Sequence, residues 1–145
     1  MFQIRVVPFQ LTIEKIEDAN IGQPTEVSIT MLDDTYVNKE IGGFDFLIQY
    51  DNSALVFQYA SEGAFITDCE WEYFTYRYGA TGNCNGGCPS GLLRVVGIAE
   101  TNNGANHPDC FLTDYPFTLF TLDFLVTDDR TFECMYVPIR FFWLD

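Results

Sequence analysis

Positive charge is scarce in this sequence. Seven Lys and Arg stand against 21 Asp and Glu in 145 residues, a formal net charge of -14. Nucleic acid and anionic membranes are bound through a positive footprint, so neither is an expected partner. The balance suits cations, basic partners or a high-salt setting, and bound cations would relieve the self-repulsion. Histidine is nearly absent, with His107 the only one. No run approaches 18 apolar residues, which excludes a membrane-spanning helix of the usual kind. The glycines at 82–87 lack the lysine and the strand-to-helix setting of a phosphate loop. No leader is visible either: Met1–Phe9 is short and Pro8 interrupts its apolar run. An exported protein would carry its leader outside these residues.

What the chain has in quantity is aromatic and apolar residues. Aromatics make up 17% and hydrophobic residues 48%, which is not a disordered composition. The length fits one domain with one sizeable core, so residues 1–145 are read as a single unit.

Short runs that alternate apolar and polar residues dominate, the signature of half-buried strands. Strands are expected at Gln10–Ile16, Glu26–Met31, Phe44–Tyr50, Ala54–Tyr59, Trp71–Tyr78, Leu92–Ala99, Thr118–Val126 and Phe132–Leu144. Ile21–Pro24 and Asp51–Ser53 read as turns. Ser61–Asp68 has room for one helical turn, and Thr101–Tyr115 is a long polar loop. The expectation is an all-β, jelly-roll-like sandwich of eight to nine strands. Residues Phe141–Asp145 still read as buried strand, so the final strand is expected to lie outside these residues or to be completed by a neighbour.

Five cysteines, Cys69, Cys84, Cys88, Cys110 and Cys134, are dense for a reducing compartment and point to an extracellular or cell-surface setting. A cysteine-containing insert spans about 69–88. A zinc site would accept the Cys84–Cys88 spacing, but a disulfide cage among Cys69, Cys84, Cys88 and Cys110 is the simpler reading. The odd number leaves Cys134 as the candidate for a partner outside this chain.

Catalytic signals are weak. His107 is near Cys110 in sequence, but Pro108 restricts the backbone between them, and no sequence rule selects a carboxylate pair. The chain is read as non-catalytic, with no obligatory cofactor. Calcium is the one ion its acidic turns suit, with Asp33, Asp34, Asp51, Asp128 and Asp129 as weak candidates, none in a helix–loop–helix spacing. Trp71, Tyr73, Tyr76 and Tyr78, with Phe141 and Trp143, are the interaction candidates. Alternation separates Trp71 and Tyr73 from Phe74, Tyr76 and Tyr78, so one group is core and the other is free for a protein face or a sugar platform.

The stretch Ile41–Phe57, reading IGGFDFLIQYDNSALVF, resembles the cohesin signature, in which a GGFxFxxxYDxxxLxF-like segment links two strands of a sandwich. Ile21–Ile29 is similar to the strand that precedes it, and Leu92–Ala99 and Phe117–Val126 fit the same layout. The resemblance covers roughly Leu11 to Val126. It implies a non-catalytic extracellular module of bacterial or archaeal origin that binds calcium-containing dockerin domains through one sheet face, with the Phe44–Tyr50 strand part of that region. The Cys69–Cys88 insert and the Thr101–Tyr115 loop depart from the family. From these readings follows a protein-interaction or structural module, with a homo-oligomeric surface layer or filament as one setting and polysaccharide binding through exposed aromatics as the alternative.

Overall fold

The structure is a computed structural model, and it describes residues 10–32, 41–79, 91–102, 108 and 117–143. Among these residues eight strands follow in chain order: β1 Gln10–Ile13, β2 Pro24–Leu32, β3 Gly43–Tyr50, β4 Leu55–Glu62, β5 Tyr73–Tyr78, β6 Gly91–Ile98, β7 Phe117–Val126 and β8 Arg140–Phe141. One short helix, α1 Ala64–Asp68, lies between β4 and β5. The fold is an all-β sandwich of two antiparallel four-stranded sheets, β1-β2-β7-β4 and β5-β6-β3-β8. Among the described residues no helix is long and apolar enough to cross a membrane.

Period-two burial builds the interior. On β3, Phe44, Phe46, Ile48 and Tyr50 point inward while Asp45, Leu47 and Gln49 point out. On β6, Leu93 and Val95 are fully buried on the inward side. From the other sheet, Val27, Ile29 and Met31 of β2 meet Phe120, Leu122 and Phe124 of β7. Phe120 is central: its ring lies 5.5 Å from Phe44, 6.3 Å from Phe46 and 6.2 Å from Phe74. Such offset and tilted aromatic contacts add about 0.5–1.5 kcal/mol per pair beyond burial.

Turn chemistry follows the residues. Gln23 N–H donates to Asn20 C=O, with Gly22 at φ 67°, a left-handed position that glycine takes without strain. Asp51 Oδ1 accepts from Ser53 N–H at 2.8 Å and fixes the β3–β4 connection.

Three expectations are corrected. On β7, plain alternation places Leu119 outward, yet it is fully buried. Ile29 of β2 pairs Phe120 and Thr30 pairs Thr118, so Leu119 is the extra residue of a β-bulge and turns inward beside Phe120. On β4, Gln58 is a second extra residue, between Phe57 and Tyr59, and the strand runs on to Glu62. The largest correction is the last segment. Phe132–Leu144 is not one long strand: residues 130–132 form a 3-10 turn, Cys134 takes φ 62°, and only Arg140–Phe141 pairs with β3. Pro138 lacks the N–H that a ladder needs. Met135 and Trp143, which a continuous strand over Phe132–Leu144 would place on one apolar face, are 60% and 77% exposed.

Candidate functional site

The outward face of sheet β5-β6-β3-β8 gathers an unusual set of side chains. Register fixes the rows across it. Tyr73 of β5 stands opposite Ile98 of β6. Val96 lies between Thr75 of β5 and Asp45 of β3. Arg94 lies between Arg77 of β5 and Leu47 of β3. Arg140 of β8 stands opposite Gln49 of β3. Tyr73, Ile98, Arg77, Arg94, Arg140 and Asp45 are exposed; Leu47, Val96, Thr75 and Gln49 are half-buried. Leu92, at the Tyr50 end, is fully buried, so the open part of β6 runs from Arg94 to Ile98. Phe142 N–H donates to Leu47 C=O at 2.8 Å and carries the edge one residue beyond β8.

At the middle of this face, Arg94 holds Asp45 in a two-pronged ion pair. Nε lies 2.9 Å from Oδ1 and Nη2 lies 2.5 Å from Oδ2. The hydrogen bonds from Arg94, aided by its charge, hold the Asp45 carboxyl below the usual carboxylate range, while partial burial opposes them. Arg94 is correspondingly raised by the same contact. At one border, Glu72 Oε2 accepts from Thr101 N–H at 2.6 Å and from its hydroxyl.

The interaction candidates do not form one surface. Trp71 is 7% exposed and packs on Phe44 and Phe65 at 6.0 and 5.4 Å, inside the core. Tyr76 is half-buried against Phe57, and Phe141 is half-buried against Phe46. Tyr73 and Tyr78 are exposed but leave opposite sides of β5, with the Tyr78 ring 5.3 Å from Phe57. They make no common platform. Trp143 is exposed past β8.

Cys69 is buried at the end of α1 and is disulfide-bonded, whereas Cys134 is a free, exposed thiol in a turn. Cys84, Cys88, Cys110, His107, Asp33 and Asp34 lie outside the described residues. Of the remaining calcium candidates, Asp51 is occupied in its turn. Asp129 Oδ1 accepts from Thr131 N–H at 2.9 Å, a contact that lowers its pKa. Asp128 is exposed. Among the described residues no group of three His, Cys, Asp or Glu is placed to hold a metal ion.

Two other surfaces were legible only in three dimensions. An open groove of about 550 Å³ runs beside β1, with Ile13, Ile16, Val137 and Ile139 on its walls and Glu14 and Glu17 at its rim. Both rim carboxylates are tied locally, Glu14 to Ser28 N–H and Glu17 to Lys15. On the outward face of the other sheet, Asp123 stands opposite both Glu26 and Tyr59. The Asp123 charge pushes the Tyr59 phenol up, with Glu26 adding to it.

Sequence reasoning missed Arg77, Arg94, Arg140 and Ile98. The signal present was the alternation on β3 and β6, which already sets Asp45 and Arg94 opposite the core side. What was absent was the strand order that makes them neighbours.

No protein-family model and no curated protein matches the sequence. The fold is that of cohesin modules. The type I cohesin OlpA of Clostridium thermocellum, solved in complex with the dockerin Doc918, is similar at 22% identity over 92% of this chain and 80% of that one, with a TM-score of 0.61. The sixth cohesin of scaffoldin B from Acetivibrio cellulolyticus, solved with a Cel5 dockerin variant, is 18% identical over 85% and 74%, TM-score 0.60. The CaCohA2 module of Clostridium acetobutylicum is 16% identical over 91% and 74%, TM-score 0.58.

Proposed function

We propose that this chain is a non-catalytic protein-binding module of an extracellular or cell-surface assembly, and that it docks its partner on the outward face of sheet β5-β6-β3-β8. The observation that carries the reading is the composition of that face. Tyr73, Ile98, Val96 and Leu47 offer apolar surface beside, among the described residues, three arginines and no lysine, the mixture that stable protein interfaces favour. The cohesin fold supports it, because the OlpA and scaffoldin B modules were solved with dockerins bound. A dockerin-like domain is accordingly the proposed class of partner. Any calcium would then enter with that partner.

The sugar-binding alternative draws less support, since Tyr73 and Tyr78 do not share a plane of approach. A subunit role in a layer or filament would draw on the exposed Met135, Tyr136 and Trp143 of the last segment.

The test is surface plasmon resonance with a panel of calcium-loaded dockerins, including Doc918 and the Cel5 dockerin. Binding that is abolished by Ile98→Glu is the expected result. Binding indifferent to Ile98→Glu, or no binding by any member, would count against a dockerin on this face.

A further inference from the structure

Charge is distributed unevenly over the molecule. Acids outnumber bases three to one in the chain, 21 against 7. Among the described residues the ratio is inverted on the outward face of sheet β5-β6-β3-β8, whose strands carry Arg77, Arg94 and Arg140 against one exposed acid, Asp45. Overall charge points to a basic partner, but a docked partner touches the face and not the average.

The arrangement within the face sharpens this. Arg77 and Arg94 stand directly opposite each other on neighbouring strands, a like-charge pair that sheets disfavour. Asp45 neutralises Arg94 from the other side. Among the described residues Arg77 and Arg140 make no ion pair, and both are exposed. The guanidinium fork fits a carboxylate in a way a lysine does not. The face therefore holds one arginine satisfied by its own carboxylate and two that lack one.

We infer that the partner is a protein whose docking surface carries carboxylates placed to meet Arg77 and Arg140, on either side of the internally satisfied Arg94–Asp45 pair. The apolar side chains of the face, Leu47 between the two arginines and Val96 and Ile98 in the rows beyond Arg94, select a protein over a purely charged polymer, since they need an apolar surface to bury against. This rests on the docking face proposed above and specifies the chemistry of what binds there.

The experiment uses a phage-displayed library of a small helical scaffold with one randomised face, selected on the full 145-residue chain. Clones that also bind Ile98→Glu or Tyr73→Ala are discarded, so the survivors use this face. The expected survivors are rich in Asp and Glu, and the double variant Arg77→Glu, Arg140→Glu weakens them by about tenfold or more. Both arginines are exposed and unpaired, so the double variant should keep the wild-type circular dichroism and melting behaviour. Survivors without an acidic excess, or indifferent to the reversal, would overturn the inference while leaving the docking face standing. If no clone distinguishes Ile98→Glu or Tyr73→Ala from wild type, the docking face itself falls. In parallel, polygalacturonate is run in affinity gels. Retardation that the double variant abolishes, with no acid-rich clones, would assign the face to a polyanion and overturn the protein partner.

Discussion

A Cβ built on Gly97 of β6 would lie 2.6 Å from Cε1 and Cζ of Phe44, its direct partner on β3. The missing side chain is what lets the Phe44 ring lie across β6 and reach both Phe120 and Trp71. Gly97→Ala must displace that ring and should destabilise by about 1–3 kcal/mol. Gly63→Ala should be worse, because its Cβ would meet the Thr118 carbonyl oxygen, which is backbone. Gly42→Ala has nothing within 4 Å and serves as the near-neutral control. Urea midpoints of the three variants check the order.

Phe120→Ala should cost about 3–5 kcal/mol, the range for emptying a large aromatic site in a core. Phe120→Leu should recover much of it. Denaturant titration of the pair would show whether the ring cluster around Phe120 holds the two sheets together. A loss below about 1 kcal/mol for Phe120→Ala would mean that the cluster does not behave as one core.

The Asp45–Arg94 pair is nearly half exposed, so its contribution is limited to about 0–1 kcal/mol. Its sign with pH is fixed. The folded-state pKa of Asp45 is depressed, so the contribution is present above the unfolded value and disappears as pH falls through the folded one. Asp45→Asn should therefore lower the urea midpoint near neutral pH and match wild type in strong acid. A gap that persists in strong acid would show that the loss is not electrostatic.

Tyr59 should ionise above an ordinary tyrosine because Asp123 faces it. Asp123→Asn removes the charge and should move the Tyr59 titration down. An NMR titration of the ring resonances reads this directly, and an unchanged pKa would remove Asp123 as the cause.

Thiol mapping separates the two described cysteines. Cys134 should react with a maleimide in the native, unreduced protein, and Cys69 only after reduction and unfolding. Peptide mapping after labelling identifies the site. Label at Cys69 without reductant would contradict its disulfide.

Much of the fold was readable because β2 and β3 obey period two without interruption. Val27, Ile29 and Met31, and Phe44, Phe46 and Ile48, face inward as their spacing requires. Reading failed where an extra residue enters a strand. Leu119 and Gln58 are bulged against partners that are distant in sequence, so nothing local announces them. It failed again at the last segment, where the alternation of Met135, Val137 and Ile139 imitates a strand. There Pro138 and the left-handed turn at Cys134 outweigh the pattern. The proposed docking face was half-legible. Alternation tells which side of β3 faces solvent, but the meeting of Arg77 with Arg94 is a property of strand order.

The bulges also divide labour between the two sheets. Both irregular registers fall in β1-β2-β7-β4, while β3 and β6 run through eight consecutive pairs without a break. The proposed recognition groups thus ride on a stiff plate that is already in shape before anything arrives. Little freedom would be surrendered on association, and the free and occupied backbones of these strands should superpose closely.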